Sequence, residues 1–267
     1  MAGQAVMGED RVLRLDGVHN FRDFGGYAVA GGGRLKRGLL WRSGQHHGAG
    51  ETDLARIAGL GLADVFDLRS SRERETHPCR RPEGFAAEVH LSADPVVVAA
   101  PHVAVAMSAK QRDAASTREG MRRNYGRIAF RPELIAMMRR YLGVLAEGRG
   151  ASLINCMAGK DRTGIAVAMA QLAAGVHRDD VVADYLLTNT AGDVEARIAA
   201  GGETIRAVAR QLDPGSLRVI MGVEPEYLES AFAMIADKHG SIDGYLVDVL
   251  GADDALRGRL REKLVKT

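Results

Sequence analysis

One stretch of the sequence limits the possible folds more than any other part of the chain. Residues 152–164 read Ser-Leu-Ile-Asn-Cys-Met-Ala-Gly-Lys-Asp-Arg-Thr-Gly, and an almost entirely apolar segment follows. The apolar residues before Asn155 predict a short buried strand, and the segment from about Gly164 predicts a helix buried against a sheet. A loop from Cys156 to Arg162 would connect them. The pattern therefore predicts an α/β core built around this strand–loop–helix unit.

The loop has the features of a phosphate-binding site. Its backbone N–H groups can form a concave nest for an anion, and the helix adds N-terminal donors and a positive dipole end. Cys156 faces the same positive field, which favours the thiolate form that attacks phosphorus. The planar guanidinium of Arg162 suits two phosphoryl oxygens and the charge that develops on them. The sequence thus predicts a phosphomonoester hydrolase with Cys156 as nucleophile and Arg162 as phosphate clamp.

Five further residues of this segment are assigned to phosphate binding: Met157, Ala158, Gly159, Lys160 and Thr163. Gly159 allows a loop conformation that a Cβ atom would block. The Thr163 hydroxyl can donate a hydrogen bond to the thiolate and so improve it as a later leaving group. Beneath or beside the pocket we predict a polar network of Asn20, Arg22 and Asp23, with a structural role.

The leaving oxygen needs a proton, and three aspartates are candidates for the general acid. Asp161 is the first choice because it lies inside the loop. Asp67, at the end of a predicted strand, is the second; its alternative role is to anchor Arg162 or the loop. Asp94 is a third candidate, on a separate loop.

Cys79 is an internal control for the motif. Its sixth successor is Phe85, and no strand–loop–helix pattern surrounds it, so we expect Cys79 to be a bystander. Two cysteines do not make a disulfide framework, and a reducing compartment fits them better. The eight histidines show no paired spacing typical of a metal site, so we expect no metal and no other cofactor.

The composition argues against several partners. Because 36 Lys and Arg balance 34 Asp and Glu, we expect no nucleic-acid partner. No stretch approaches the roughly 18 apolar residues that a membrane-spanning helix requires, so we expect no integral membrane association. The N-terminus lacks the pattern of a signal peptide, which predicts a cytoplasmic protein. A trimmed signal peptide would leave the same sequence and would mean secretion.

The remaining sequence predicts a single domain over residues 1–267. The predicted elements are a loose terminus over 1–12, short hairpins over 17–43, a helix over 51–59, a strand over 63–68, a helix over 132–148 and mostly helices from 178 onwards. Residues 92–127 begin as a β-branched run and continue as a polar helix. We predict a mobile lid or a substrate-facing insertion there.

Several motifs together resemble the protein-tyrosine phosphatases. The segment from Cys156 to Gly164 is similar to their phosphate-binding loop, and its Gly-Lys-Asp-Arg form resembles a bacterial branch that includes atypical dual-specificity and lipid phosphatases. The similarity extends over residues 20–27, 40–43, 67–70 and 240–246, whereas about 92–130 and 190–220 match poorly. The resemblance implies the phosphatase fold, with a central, mostly parallel sheet flanked by helices and a helical C-terminal part. It also implies a phosphocysteine intermediate without a metal.

The resemblance also bears on three loop residues. The bacterial branch has an acidic residue inside the loop, in agreement with Asp161 as the acid. Lys160 would contact a second phosphate and favour phosphoinositides; otherwise it is a solvated loop lysine. The family usually has His where this chain has Asn155, and Asn brings no positive charge. We therefore expect a less stabilised thiolate than is usual in the family.

Three functions remain open from the sequence. A protein-tyrosine phosphatase leads, and a dual-specificity or phosphoinositide phosphatase is the alternative, so the expected partners are phosphotyrosyl proteins or phosphoinositides. The third is a catalytically silent module that recognises phosphorylated partners, against which Cys156, Arg162 and an acid argue. Pocket depth would separate the substrates, because a deep rim admits only the long phosphotyrosine side chain.

Overall fold

The computed structural model describes residues 9–93, 113–200 and 213–267. In these residues the strands are β1 (Arg22–Asp23), β2 (Arg34–Leu35), β3 (Leu40–Ser43), β4 (Leu62–Asp67), β5 (Glu88–Leu91), β6 (Ala151–Asn155) and β7 (Val265–Lys266). Five of them form the central sheet, in the order β1-β3-β6-β4-β5, and β2 pairs with β7 in a separate ribbon. All pairs in the central sheet are parallel except β1 with β3. The predicted α/β class with a mostly parallel sheet is therefore confirmed.

The register of the sheet brings three strand ends together at one edge. Asn155, the last residue of β6, is paired with Ser43 on one side and with Asp67 on the other. In open α/β sheets, ligands bind outside the carboxyl ends of parallel strands. The loop that begins at Cys156 leaves the sheet at this edge.

Helices cover the sheet and make up most of the C-terminal part. They are α1 (Glu51–Ala58), α2 (Ser71–Thr76), α3 (Ala114–Ile128), α4 (Pro132–Glu147), α5 (Asp161–Ala173), α6 (Arg178–Leu186), α7 (Thr188–Ala191), α8 (Val194–Ala200), α9 (Pro214–Met221), α10 (Pro225–His239), α11 (Ile242–Asp248) and α12 (Asp254–Leu264). A short 3₁₀ turn, Glu9–Arg11, precedes β1. No helix among the described residues is both long and apolar enough to cross a bilayer.

The ends of two helices follow the local sequence signals. Helix α4 has proline in its first turn and ends at Gly148, whose φ of 70° suits glycine. Helix α1 ends at Gly59, as the sequence predicts.

Helix α5 begins at Asp161, earlier than the predicted start near Thr163–Gly164, because the N–H of Gly164 donates to the carbonyl of Lys160. Asp161 and Arg162 therefore lie in the first helical turn.

The predicted insertion over 92–127 is only partly described. Residues 94–112, which include Asp94, lie outside the described residues. Helix α3 covers most of the remainder, and its side chains Met121, Tyr125 and Ile128 are buried. It packs beside α9, α10 and the α5 helix. The described part of the insertion is thus a helix of the core.

The prediction of a loose N-terminus is wrong for its last residues. Arg11 is only 7% exposed. Its guanidinium donates to the carbonyl of Gly25 and lies 4.1 Å from the ring centre of Tyr27. Residues 1–8 lie outside the described residues.

Candidate active site

Cys156 lies directly after β6 and is a free thiol that is 2% exposed. Strand β6 is buried along its whole length, which fixes the position where the loop begins. The first turn of α5 closes the other end of the loop. The strand and the helix thus hold Cys156 and the loop between them, in the strand–loop–helix order that the sequence predicts.

The carbonyl groups after Cys156 are held from outside the loop. The backbone N–H of Gln45 donates to the carbonyl of Met157 at 3.1 Å. The carbonyl of Gly159 accepts from the side chains of Asn20 at 2.8 Å and Arg42 at 3.0 Å. In a trans peptide the C=O and the following N–H point in opposite directions. The N–H groups that follow these carbonyls therefore point into the loop, where an anion can accept from them.

Gly159 cannot carry a side chain in this arrangement. Its φ is 65°, in the region that favours glycine. A Cβ atom there would overlap the carbonyl group of Ser43 and the N–H of Gly44. The loop can therefore approach β3 this closely only with glycine at position 159.

A buried ion cluster supports the same carbonyl. Arg42 pairs with Asp184 at 2.8 Å, and Arg22 lies 3.6 Å from the same carboxylate. Arg22 also donates to the side chain of Asn20. Burial and the neighbouring Arg42 lower the pKa of Arg22 to about 9. With both arginines charged, the cluster places one net positive charge behind Gly159, which favours an anion in the loop.

The predicted polar network is present in part. Asn20 and Arg22 belong to the ion cluster that supports the loop. Asp23 does not; it accepts from the backbone N–H groups of Gly25 and Gly38, both at 2.7 Å. Asp23 therefore shapes the turn after β1 and does not contact the loop.

Arg162 is held by Glu73, which the sequence analysis did not identify. The two terminal nitrogens of the guanidinium donate to the two carboxylate oxygens at 2.6 and 2.7 Å, and one also donates to the carbonyl of Leu68 at 3.0 Å. Glu73 lies in the first turn of α2, where its side chain also accepts from the N–H of Ser70. The Ser-x-x-Glu spacing of a capping box was the available sequence signal.

The electrostatics of this pair keep both groups charged. Burial raises the pKa of Glu73, but its hydrogen bonds from Arg162 outweigh burial and lower the pKa below its usual value. Burial alone would lower the pKa of Arg162. The hydrogen bonds to Glu73 and the nearby Cys156 outweigh burial, so the pKa of Arg162 lies above its usual value. The third nitrogen of the guanidinium, Arg162 Nε, is buried and has no protein partner among the described residues. This N–H is available to an anion bound next to Cys156.

Thr163 is fully buried in the first turn of α5. Its hydroxyl oxygen has no hydrogen-bond partner within the described part of the chain, so the predicted donation to Cys156 is not formed here.

Asp67 does not contact Arg162. Its carboxylate pairs with Arg69 through two short contacts, 2.8 and 2.7 Å, and also accepts from the side-chain amide of Asn155 at 3.4 Å. All three residues are buried. The predicted anchoring of Arg162 therefore belongs to Glu73, whereas Asp67 supports Asn155, the residue that precedes Cys156.

Lys160 is neither solvated nor directed towards the outside. It is 2% exposed, and its ammonium donates to the carbonyls of Ile220 and Gly222, the latter at 3.1 Å. These carbonyls belong to the C-terminal end of α9, where a cation is favourable. Burial lowers the pKa of Lys160, and the nearby Asp161 opposes this. The interpretation as a solvated loop lysine is wrong.

Asp161 is buried at the start of α5. Its Oδ1 atom accepts from the hydroxyl of Tyr125 at 2.7 Å and lies 3.5 Å from the ammonium of Lys160. The hydroxyl of Tyr185 in turn donates to that of Tyr125 at 2.7 Å. Asp161 is thus a buried carboxyl group in the first turn of α5, bound by Tyr125 and close to Lys160.

Cys79 lies in contact with Arg69 and His46. Its sulfur is 3.0 Å from a terminal nitrogen of Arg69 and 3.2 Å from the backbone nitrogen of His46. Burial raises the pKa of Cys79, so the environment does not activate it as a nucleophile.

One group of potential metal ligands occurs in the described residues: Asp64, Glu88 and His90. Arg149 contacts both carboxylates, Asp64 at 3.3 Å and Glu88 at 2.7 Å, and the imidazole of His90 lies 2.8 Å from Asp64. Arg140 also pairs with Glu88, at 3.2 Å. Because two guanidinium groups already pair with the two carboxylates, the group is an ion cluster between β4 and β5.

Comparisons with known proteins cover nearly the whole chain. The sequence matches the profile of the tyrosine phosphatase family over residues 13–266. It is 34% identical over 254 residues to a protein of Cupriavidus necator that is provisionally named a tyrosine-protein phosphatase. This alignment covers 92% of this chain and 87% of the relative. It is 32% identical over 285 residues, 95% of this chain and 99% of the relative, to the triple specificity protein phosphatase PtpB of Mycobacterium tuberculosis. The crystal structure of P. aeruginosa TpbA aligns over 81% of this chain and 99% of that chain, at 15% identity and a TM-score of 0.38, which is too low to carry an argument.

Proposed function

The chain belongs to the tyrosine phosphatase family, and we propose that it hydrolyses phosphotyrosine on proteins through a phosphocysteine intermediate on Cys156. The observation that carries this proposal is the buried guanidinium of Arg162. Glu73 holds its two terminal nitrogens, and Nε remains available beside the cysteine. A planar guanidinium held in this way presents its Nε–H to an oxygen of a phosphoryl group.

In the first step the substrate's phosphoryl group binds in the loop, against the N–H groups of Ala158 and Lys160. The thiolate of Cys156 attacks phosphorus, an S–P bond forms and the P–O bond to the leaving group breaks. Asp161 gives its proton to the leaving oxygen. Arg162 and the N–H groups stabilise the charge on the three remaining phosphoryl oxygens.

In the second step water replaces the leaving group. The oxygen of the water bonds to phosphorus, and Asp161, now a carboxylate, accepts a proton from this water. The S–P bond breaks, and the thiolate of Cys156 returns. The products are inorganic phosphate and the dephosphorylated substrate, and the acid is protonated again.

A broader specificity is the second candidate. The name of the Mycobacterium tuberculosis relative, which aligns over 99% of its length, describes a triple specificity protein phosphatase. For this chain, the second candidate adds phosphoserine, phosphothreonine and phosphoinositides to the substrates. Lys160 gives this candidate no direct support, because its ammonium is bound to the end of α9.

We also place the protein in the cytoplasm as part of this proposal. Its mechanism needs a reduced Cys156, and both cysteines are free thiols. Reducing compartments keep such thiols available for chemistry.

The decisive experiment measures phosphate release from a phosphotyrosine peptide, a phosphothreonine peptide and a phosphoinositide, with EDTA present. We compare the wild type with Cys156→Ser and with the matched control Cys79→Ser. We expect release by the wild type and by the control, and none by Cys156→Ser. Activity that survives in Cys156→Ser would refute the phosphocysteine mechanism.

The pattern of substrates tests the specificity. Turnover of the phosphotyrosine peptide alone supports the first candidate, and comparable turnover of all three substrates supports the second. Tight binding of the peptide by the wild type without release would show that the chain is a phosphate-recognition module.

A further inference from the structure

Two tyrosine hydroxyls form a buried chain that ends on Asp161. Tyr185 donates to Tyr125, and Tyr125 donates to Asp161 Oδ1, each at 2.7 Å. Both tyrosines are at most 1% exposed. Burial raises the pKa of both well above the usual value, so both hydroxyls stay protonated and remain donors. The hydroxyl of Tyr125 therefore has a hydrogen to donate to Asp161 throughout the ordinary pH range.

The two tyrosines come from different helices, and each is fixed by packing. Tyr125 lies on α3, and its ring centre is 6.1 Å from that of Tyr185 on α6 and 5.6 Å from that of Tyr227 on α10. A side chain locked in this way loses little freedom when it forms a hydrogen bond, so it defines the orientation of its partner. The direction of Asp161 is thereby set from outside the loop.

This contact is better matched to the ionised form of Asp161. A carboxylate accepts a hydroxyl hydrogen bond more strongly than a neutral carboxyl group does. Lys160 Nζ at 3.5 Å and the N-terminus of α5 favour the same form. Asp161 takes that form when its proton has passed to the leaving oxygen.

We propose that Tyr125, oriented by Tyr185, is a positioning residue that holds Asp161 for proton transfer and stabilises the carboxylate left behind. The inference rests on the proposed function, in which Asp161 is the general acid. No proton leaves either tyrosine. The Asp161 proton goes to the leaving oxygen as the P–O bond breaks, and the water returns one in the second step.

The test removes one oxygen atom at a time. Tyr125→Phe keeps the ring and its packing but removes the donor to Asp161. Tyr227→Phe is the matched control, because its ring packs on the same cluster while its hydroxyl is bound to the carbonyl of Val219, at 3.5 Å, and to the side chain of Glu224. We would measure kcat with phenyl phosphate, whose leaving group needs a proton, and with 2,4-dinitrophenyl phosphate, whose leaving group does not.

We expect Tyr125→Phe to lower kcat for phenyl phosphate about tenfold and to leave the dinitrophenyl ester nearly unchanged. Tyr185→Phe should act in the same direction with a smaller factor, and the double variant should be no worse than Tyr125→Phe alone. Equal losses for both esters, or the same ester dependence in Tyr227→Phe, would overturn the inference.

Two further variants separate this inference from the proposed function. Asp161→Asn should show the ester dependence at least as strongly as Tyr125→Phe. If Asp161→Asn shows it and Tyr125→Phe does not, the inference fails and the mechanism stands. If Asp161→Asn affects both esters equally, Asp161 is not the acid, and both the acid assignment and the inference are wrong. Activity in Cys156→Ser would remove the mechanism itself.

Discussion

The phosphate loop has two sets of supports that differ in what they hold. The anion supports are Asn20, Arg42 and Glu73, which bind the Gly159 carbonyl and the Arg162 guanidinium. The acid supports, Tyr125 and the end of α9, instead bind the side chains of Asp161 and Lys160. In the proposed mechanism, the anion supports shape the groups that bind the phosphoryl group, and the acid supports orient the proton donor. Binding and proton transfer should therefore be separable by substitution.

The largest effect that we expect from an anion support is that of Glu73→Gln. The amide keeps the shape of Glu73 but loses the ion pair that holds Arg162, and a misplaced clamp weakens every transition state. We expect kcat/KM to fall about 100-fold, by the same factor for phenyl phosphate and 2,4-dinitrophenyl phosphate. Steady-state kinetics with both esters measures this.

Glu75→Gln is the matched control for that variant. Glu75 lies on the same helix, is exposed, and forms no ion pair within the described ranges. We expect it to keep the wild-type kcat/KM. If Glu73→Gln lost activity only with phenyl phosphate, Glu73 would act on proton transfer, and the separation of the two sets of supports would be wrong.

The anion supports and the acid supports also differ in how well the sequence predicts them. Cys156 and Arg162 could be identified because the strand, loop and helix that place them are contiguous. Asn20 was also predicted, since it lies within a motif. Glu73 was missed because it lies 89 residues from Arg162 in sequence, and only the fold brings the two together.

The acid supports could not be predicted at all. Tyr125 lies 36 residues before Asp161, on a helix whose sequence indicates only a polar insertion. Lys160 was expected outside the protein, because the sequence does not show that a helix end 60 residues later covers it. Likewise, strand β7 pairs with β2 across nearly the whole chain. Local patterns predicted the elements well, and long-range pairing decided the contacts.

The next prediction concerns the pH dependence of folding stability, which we attribute in part to a buried histidine beside the loop. His46 is 1% exposed and lies 2.9 Å from the Ser43 hydroxyl, next to the loop. Burial, followed by Arg81 and Arg69, lowers the pKa of His46 to about 3. The fold therefore favours the neutral imidazole. This contribution to stability is fully present above the ordinary pKa of 6.5 and is lost as the pH falls from 6.5 to about 3.

Between pH 7 and pH 5 we expect this histidine alone to reduce the free energy of unfolding by about 2 kcal/mol, or about 30-fold in the equilibrium. Urea unfolding at the two pH values measures it. His46→Gln should show a smaller loss between the two pH values than the wild type. His177→Gln, which changes an exposed histidine, should behave like the wild type. An unchanged pH dependence in His46→Gln would contradict the prediction.

The smallest effect that we expect comes from Lys160→Met, which removes the side chain that one acid support, the end of α9, binds. The substitution removes the ammonium that joins the loop to the carbonyls of Ile220 and Gly222, and it removes a charge near Asp161. We expect activity to fall about tenfold, by the same factor for a phosphotyrosine peptide and a phosphoinositide, because the ammonium points into the protein. Lys266→Met, an exposed lysine on β7, is the control and should keep the wild-type rates. A loss confined to the phosphoinositide would mean that the ammonium leaves α9 to bind a second phosphate. The acid supports would then also select the substrate, and the two sets of supports would no longer be separate.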